Sequence, residues 1–543
     1  MTKQFPCLKC NSFSSFGGRG WRWGLRASLM SATVCVVVAA IVSLGSCIAD
    51  DSTIGEDKTF ITISGINSAY DVVTFNQEPL VIQPEVNSSY PADDLEYSWA
   101  YYSTTESLKR HTEEFKATPI CDTKDLNKDM GLSDGNYTFI FTVKAKSTGY
   151  SVSQTTQVYA SSLLSRGFCI LKEDADGNTD VDIFNTVQQR MIPNMFANYQ
   201  GAAIPGAPRA MDVIFSQAYM DTETDTPTSA NLLCVTTKAN EVRWVSLQGL
   251  TTVMDQHNCH YDAVEGEVPY RTVQGSWSAY FLTSNGVYSS YTGKQRVAGI
   301  FGTVSGDGGS THIVCSPTSN YQMVYWNEQT RSLCYLDFNG NERPLTSEIA
   351  DYPVKNTNYD CLFGGLCMAG GEKIFFVLQD RDNPSQRLLY FIKCKTASAE
   401  LERVEVIDGA KHFAQADLYA VSSSGSMGAT VAYCVHNNKV YTYALEGSGL
   451  EEELTFEGLP ADEPITFISN RYYFGLGFMF NYLAIGTQVG EQYNLRLYNI
   501  LGDAPDGEPA MTLSGQGRLK SYTYIDPEMT DELACLSVPI LDN

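Results

Sequence analysis

The sequence has little positive charge. It contains 37 Lys and Arg against 62 Asp and Glu, which gives a formal net charge of −25 at pH 7. Nucleic acids and anionic membrane surfaces are recognised through basic patches, so this balance argues against both as partners. The acidic excess instead fits a solvated protein exposed to an aqueous space.

The sequence also lacks the common catalytic motifs H-E-x-x-H, G-x-S-x-G and G-x-x-x-x-G-K-[ST]. It has six His, and one short run, His257-Asn258-Cys259-His260, combines soft metal ligands. A tetrahedral metal site needs further ligands from elsewhere, and the sequence has no second cluster. We therefore predict no metal, no cofactor and no identifiable catalytic residue.

Helical periodicity is nearly absent, whereas Tyr and Phe are abundant, with 32 and 25 residues. After Cys47 there are eleven further cysteines, an odd number without any C-x-x-C pair, which is unlike a zinc or redox framework. Several lie in apolar runs such as 232–235 and are expected to be small buried hydrophobes. The chain is predicted to be all-β, with mostly free thiols.

The first 46 residues resemble a secretory signal. They hold five basic residues and no acidic one, and the apolar stretch 29–44 is shorter than the roughly 20 residues that span a membrane. Leu44-Gly45-Ser46-Cys47 follows, a pattern on which bacterial lipoproteins are cut and acylated at the thiol. We predict a lipoprotein signal peptide at 1–46 and lipid attachment at Cys47. The alternative is a transmembrane anchor.

Residues 47–58 are predicted to be an acidic tether. Asp50-Asp51 resembles the export signal that directs lipoproteins of Sus-type nutrient-uptake systems to the outer face of the outer membrane. This resemblance implies a lipid-anchored protein facing the cell exterior. An ordinary charged linker is the alternative reading.

Residues 59–160 are predicted to form an Ig-like β-sandwich. Short alternating strands bounded by turn residues recur over about 100 residues, as sandwiches require. Trp99 is expected to be the buried central Trp, and Tyr137 suits a tyrosine corner. Carboxylates alternate over 125–129, but the glycine of a calcium loop is missing, so we favour a solvated loop there.

Residues 161–543 are predicted to form a β-propeller, because strand pairs recur about every 50 residues. The predicted pairs are 232–235 with 242–247, 280–283 with 286–291, 323–326 with 332–337, 373–378 with 387–392, 430–436 with 439–444, and 482–486 with 494–500. Six pairs plus the opening strands suggest seven blades. Strand 520–525 is expected to close the ring on the first blade.

Two segments of the propeller allow alternatives. Asp174, Asp176 and Asn178 could ligate calcium within 174–182, but Gly177 lies at the wrong position of such a loop, and a hairpin turn is favoured. The run 185–209 is poorly patterned. It could be helical, or could belong to an eighth blade.

Three motifs carry a resemblance to the PKD-like family of lipoproteins: Leu95-Glu-Tyr-Ser-Trp99, Gly135-Asn-Tyr137 and the strand starting at Gly167-Phe168. The resemblance implies a PKD-like domain followed by a propeller. It also implies an accessory role beside a Sus-type TonB-dependent transporter and its companion lipoproteins, with capture of a peptide or glycan.

Loop aromatics are the candidate ligand-stacking residues, because an aromatic face beside polar groups can hold a sugar or a side chain. They are Trp277, Tyr321, Tyr352, Tyr359, Tyr472 and Tyr473. We thus expect a non-catalytic binding or scaffold lipoprotein. A carboxylate-dependent hydrolase or lyase acting on glycan, and an adhesin or envelope structural protein, are the alternatives.

Replacing Cys47 with Ser is expected to release the protein from membranes and to abolish fatty-acid labelling, because the thiol that carries the acyl chains is removed. Fractionation and labelling with a clickable fatty acid test this. A wild-type protein that takes up no label, and a mutant retained uncut in the membrane, would instead support a transmembrane anchor.

Overall fold

The computed structural model describes most of the chain after residue 58. The described residues are 59–74, 79–103, 117–132, 135–162, 166–221, 225–247, 249–261, 264–275, 279–290, 299–302, 304–310, 312–316, 323–337, 341–395, 398–423, 429–447, 449–474 and 479–526. The chain divides into two compact units, Met1–Phe60 and Ile61–Asn543. The described residues fall almost entirely in the second unit.

The predicted anchor lies outside the described residues. This applies to Leu44, Gly45, Ser46 and Cys47, and to the export signal Asp50-Asp51. Among the described residues, no helix has the length and apolar character needed to cross a membrane.

The first part of the unit is a β-sandwich. Its strands are β1 (Ile61–Ser64), β2 (Ala69–Thr74), β3 (Leu80–Ile82), β4 (Glu85–Ser88), β5 (Leu95–Ser103), β6 (Thr118–Cys121), β7 (Leu126–Lys128), β8 (Gly135–Ala145) and β9 (Ser151–Ser162). A five-stranded sheet has the order β2-β9-β8-β5-β6, with β2 and β9 parallel. The pairs β1-β4 and β3-β7 complete the sandwich.

Trp99 is at the centre of the sandwich core, as predicted. Its side chain is 1% exposed, and its ring centroid lies 4.7 Å from that of Phe141. Its indole N–H donates to the carbonyl oxygen of Lys124 at 3.1 Å, so the polar end of the ring is satisfied inside the core. Alternation along β8 places Phe139, Phe141 and Val143 in the same core.

The solvated loop predicted for residues 125–129 is wrong at its centre. Leu126–Lys128 forms β7, which pairs with β3, and the Leu126 side chain is completely buried. The apolar Leu126 decides the conformation, because its burial outweighs the polar character of its neighbours. Asp125 and Asp129 flank the strand, and Asp125 faces Lys124 at 3.6 Å.

The rest of the unit is a propeller of antiparallel sheets. Its first strands and its helix are β10 (Gly167–Glu173), β11 (Thr179–Asn185), β12 (Arg190–Ile192), α1 (Met195–Tyr199), β13 (Pro208–Asp221), β14 (Thr226–Thr237), β15 (Val242–Ser246), β16 (Thr252–Asp255), β17 (Pro269–Gln274), β18 (Ala279–Thr283), β19 (Gly286–Ser289) and β20 (Val304–Ser305).

The remaining strands continue the same pattern. They are β21 (Ile313–Val314), β22 (Met323–Asn327), β23 (Ser332–Leu336), β24 (Glu342–Pro344), β25 (Tyr359–Cys367), β26 (Lys373–Asp380), β27 (Arg387–Cys394), β28 (Ala399–Ile407), β29 (Leu418–Val421), β30 (Val431–His436), β31 (Lys439–Ala444), β32 (Glu451–Glu453), β33 (Ile465–Phe474), β34 (Met479–Val489), β35 (Gln492–Leu501), β36 (Ala504–Pro505), β37 (Met511–Gln516) and β38 (Arg518–Ile525). One-turn 3₁₀ helices lie at Ala92–Asp94 and Phe413–Gln415.

Seven sheets in the described part of this region each have at least four strands, and we call them blades. Blade 1 has the order β12-β11-β10-β38; blades 2 to 6 are β13–β16, β17–β20, β21–β24, β25–β28 and β29–β32; blade 7 contains β33–β37. All six predicted strand pairs are confirmed. The turn between β30 and β31 is set by Asn437 and Asn438, whose φ angles of 50° and 61° suit a tight hairpin.

The predicted closing strand is confirmed. β38 pairs antiparallel with β10, from Gly167 opposite Ile525 to Glu173 opposite Arg518, and becomes the innermost strand of blade 1. The innermost strands of neighbouring blades contact one another, as β38 does with β13 and β33. Apolar clusters continue from blade to blade, which explains why strands such as β10 are buried on both faces.

Blade 1 contains a buried polar network. Lys172 and Asp182 are 1% and 0% exposed and lie 2.6 Å apart. Asp182 also accepts a hydrogen bond from the Tyr493 hydroxyl of blade 7 at 2.7 Å and one from the Asn194 amide at 2.8 Å. The network therefore satisfies the buried carboxylate and joins blade 7 to blade 1.

The segment 174–182 is a hairpin, as the sequence favoured. The Asp174 carboxylate accepts hydrogen bonds from the backbone amides of Asp176 and Asn178, and the turn connects β10 with β11. The Asp180 carboxylate on β11 accepts hydrogen bonds from the backbone amides of Phe196 and Ala197 at the start of α1. The short helix lies inside the run 185–209, where the sequence allowed one.

Free thiols are the rule, as predicted. Eight cysteines among the described residues have free thiols, and all but Cys121 are buried: Cys121, Cys169, Cys234, Cys259, Cys334, Cys361, Cys367 and Cys434. Burial raises the pKa of Cys169 to about 12 and that of Cys234 well above its usual value. Cys535 lies outside the described residues.

Replacing Lys172 with Met is expected to destabilise the fold by about 3–5 kcal/mol, because the Asp182 carboxylate would remain buried without its cation. Tyr493→Phe is expected to cost about 1–2 kcal/mol, since one hydrogen bond is lost. Urea unfolding measures both.

The matched control for this prediction is Lys393→Met, which breaks an exposed pair with Glu402. It is expected to cost less than about 1 kcal/mol. Equal losses for Lys172→Met and Lys393→Met would contradict a stabilising role for the buried network.

Candidate functional site

A cavity of about 520 Å³ opens at one end of the propeller. Twelve residues line it: Pro208, Arg209, Lys238, His312, Cys361, Leu362, Gln379, Arg387, Ala416, Asp417, Tyr419 and Lys520. They belong to blades 1, 2, 4, 5 and 6. The cavity is therefore built by the ring as a whole, and its volume suits a small ligand or a short chain segment.

The topology explains why these residues meet. Pro208 and Arg209 begin β13, His312 directly precedes β21, Asp417 directly precedes β29, and Lys520 is the third residue of β38. The innermost strands thus begin on the same side of the ring. We call this side the rim; hairpin residues at the ends of second strands, such as Lys238 and Gln379, also reach it.

The lining is predominantly basic. Among the described lining residues, Arg209, Lys238, Arg387 and Lys520 are basic, against one carboxylate, Asp417. This sign is opposite to that of the whole chain. A concave cationic surface in an acidic protein concentrates the positive potential at the cavity.

The guanidinium groups are held in place by neutral oxygens. Arg387, 8% exposed, donates to the carbonyl oxygen of Pro384 at 2.7 Å and approaches the Tyr419 hydroxyl at 3.4 Å. Arg209 donates to the Pro269 carbonyl at 2.7 Å and lies over the Tyr270 ring. Burial lowers the pKa of Arg209, whereas nearby Tyr270 opposes that shift. These contacts orient the cations without neutralising them.

His312 contributes an uncharged polar group. Burial, together with the positive charges of Arg271 and Lys520, lowers its pKa to about 4, so the ring is neutral at pH 7. Its Nδ1 atom is buried and has no hydrogen-bond partner within the described ranges. Arg271 itself is paired with buried Asp212 on the neighbouring innermost strand.

The aromatic residues predicted from the sequence do not line this cavity. Tyr352 and Tyr359 are half-buried and pack edge-on against Tyr390. Tyr473 is 2% exposed between Phe480 and Tyr524, so little of its ring can reach a ligand. Tyr472 is half-buried in β33. Trp277 and Tyr321 lie outside the described residues.

The run 257–260 does not gather further metal ligands. Among the residues that the structure describes, no group of three or more His, Cys, Asp or Glu is placed to hold a metal ion. His260 instead pairs with Glu267 at 3.0 Å through Nε2, while Nδ1 lies 3.1 Å from the Phe301 carbonyl oxygen. Both ring nitrogens face acceptors, which favours the doubly protonated ring.

The pKa values of this pair follow from its contacts. Burial opposes protonation of His260, but hydrogen bonds with Cys259 and Glu267 outweigh it and raise its pKa to about 10. Burial likewise disfavours ionised Glu267, but hydrogen bonds from His260 and Thr283 lower its pKa. The pair is a buried ionic contact that fixes the loop before β17.

The basic cavity residues were missed by the sequence reading. Arg209, Lys238, Arg387 and Lys520 are far apart in the chain and form no motif. Arg387 and Lys520 begin predicted strands, so comparing strand ends between blades could have found these two. Arg209 ends the poorly patterned run 185–209, and Lys238 lies beyond the predicted strand 232–235, so neither carried such a signal.

Family comparison bears on the first part of the chain. Residues 56–208 match the model of the PKD-like family. The match covers the sandwich and the opening of the propeller, and it confirms the family resemblance for those residues. A comparison with the curated proteins found no match.

A comparison with solved structures found several partly similar chains. A quinonprotein alcohol dehydrogenase-like protein from Bacteroides thetaiotaomicron is 12% identical, with a TM-score of 0.41, covering 84% of this chain and 97% of that chain. The WD40 domain of SCAP from fission yeast is 8% identical, with a TM-score of 0.21, covering 65% and 74%. Neither likeness bears on activity.

We expect the contribution of His260 to the free energy of unfolding to fall as pH rises. Its pKa is about 10 in the folded protein and about 6.5 when unfolded, so protonation stabilises the fold fully below about pH 6.5, and this contribution is lost towards pH 10. The free energy of unfolding of the wild type minus that of His260→Gln should therefore decrease across this window. A difference that stays constant would contradict the protonated pair.

Proposed function

We propose that this protein is a non-catalytic binding lipoprotein whose propeller captures a peptide or glycan in the cavity at the rim. The observation that carries the proposal is the cavity itself. Five blades contribute to its lining, and it has the volume and convergent polar groups of a ligand site. In the sequence, the PKD-like sandwich lies between the predicted anchor and the propeller.

The lining favours binding over glycoside cleavage. Hydrolysis of glycosidic bonds generally uses two carboxyl groups on either side of the scissile bond. Among the described residues, the cavity lining includes one carboxylate, Asp417, together with four basic side chains. A hydrolase or lyase acting here would need a second acidic group from another part of the molecule.

The cellular part of the proposal rests on the sequence. The signal ending at Cys47, the Asp50-Asp51 pair and the PKD-like match support a lipid-anchored protein on the outer surface, accessory to a Sus-type TonB-dependent transporter. In this arrangement the protein captures the nutrient and presents it to the transporter. An adhesin or envelope structural protein would bind a polymer without a transporter partner.

Filling the cavity is expected to abolish ligand capture. Leu362→Trp adds a large side chain to the lining, so binding on peptide and glycan arrays should fall by about tenfold or more if the ligand occupies the cavity. The control Leu501→Trp alters a residue that is 75% exposed in blade 7 and should bind normally. Thermal unfolding of both variants checks that the fold is kept.

The transporter association has its own test. The detergent-extracted protein from its native cells is expected to co-purify with a TonB-dependent transporter, as identified by mass spectrometry. An absence of any such partner, combined with no binding on the arrays, would overturn the proposed function. Turnover of a glycan that is lost on Asp417→Asn would instead favour the enzyme.

A further inference from the structure

The positive charge of the cavity lining indicates the chemical class of ligand that binds there. This inference rests on the proposed function. The chain as a whole carries a formal net charge of −25 and therefore repels anions. The rim cavity has the opposite sign, because the described part of its lining contains four basic side chains and a single carboxylate. An anionic group on a ligand would find its favourable potential there.

The donors in the lining suit carboxylates. Arg guanidinium groups bind carboxylates with two parallel hydrogen bonds, and the planar group is most effective when it is already oriented. Arg387 meets this condition, since it is more than nine-tenths buried and fixed by the Pro384 carbonyl and Tyr419. Lys238 is exposed at the mouth, where it can contact a second charge.

His312 supplies an independent indication of a ligand. Its buried Nδ1 atom has no hydrogen-bond partner in the described part of the chain. A buried polar atom without a partner is unfavourable, and a ligand that supplies one removes that penalty. A neutral imidazole among cations can donate to a carboxylate or accept from a peptide N–H.

The lining favours a peptide over an acidic glycan. Sugar rings commonly bind on exposed aromatic faces. The aromatic residue of the lining, Tyr419, is 2% exposed, and its ring packs against Phe363 and Phe413. Gln379, Asp417 and the backbone ends of several strands offer instead the donors and acceptors that a peptide backbone uses.

We infer that the rim cavity binds an acidic peptide, with Arg387 and Lys238 contacting its carboxylates. His312 satisfies its free nitrogen on the same ligand. The Asp417 carboxylate accepts a hydrogen bond from a backbone N–H or from the terminal ammonium group of the peptide. This contact orients the peptide in the cavity. The remaining acidic surface excludes such peptides from other parts of the molecule.

Binding of labelled oligopeptides to the full-length protein in detergent tests the inference. Hexaglutamate is expected to bind, with an affinity that falls as salt is raised, whereas hexaglutamine and hexalysine are not. Lys238→Glu should weaken hexaglutamate binding by at least about tenfold, because a like charge then faces the ligand. Lys144→Glu makes the same change on the exposed surface of the sandwich and should leave binding unchanged.

Each other result overturns the inference in a recognisable way. Binding of hexagalacturonate without hexaglutamate would replace the peptide with an acidic glycan and leave the proposed function standing. A neutral array ligand whose binding is lost in Leu362→Trp, with no anion bound by the wild type, would overturn the assignment of an anionic ligand. It would leave the proposed function standing. Equal weakening by Lys238→Glu and Lys144→Glu would place the anion outside the cavity.

Discussion

The antiparallel pairing of β10 with β38 is the interaction on which the rest of the propeller depends. It joins the two ends of the propeller chain in one sheet, and it supplies blade 1 with its innermost strand. Without β38, an edge of β10 would be open, and β13 and β33 would lose the strand that they contact. Polar contacts strengthen the junction: Arg471 of blade 7 donates to the Tyr522 carbonyl of β38, and Tyr493 reaches Asp182 of blade 1.

The same junction also contacts the sandwich. Arg166, directly before β10, lies 3.1 Å from Asp526, directly after β38, and 3.9 Å from Asp71 of the sandwich. One guanidinium group therefore contacts the beginning of the propeller, its end and the preceding domain. The closing strand thus determines both the ring and the rim where the innermost strands begin, and its end lies beside the contact with the sandwich.

Local patterns explain what the sequence could predict. Trp99 in an alternating strand and the positive-φ pair Asn437-Asn438 each specify their structure within a few residues. Local patterns do not predict the burial of Asp180 and Asp182. In so acidic a chain, an Asp in the sequence suggests a solvent-exposed residue or a calcium ligand. Their burial depends on Lys172 of the adjacent strand, on Tyr493 of blade 7 and on the helix α1. The cavity could not be predicted from local patterns either, because Arg209 and Lys520 come to line the same cavity only after the ring has closed.

The buried thiols have a consequence for redox chemistry. Exchange with disulfides requires the thiolate, and burial keeps Cys169, Cys234 and Cys361 protonated by raising their pKa. The folded protein is thereby chemically inert at these positions. An unfolded chain would instead expose all of these thiols to oxidants at once, with many incorrect pairings open to it. Folding is thus what protects this cysteine-rich chain from oxidation, and the order of the two processes decides whether it reaches its native state.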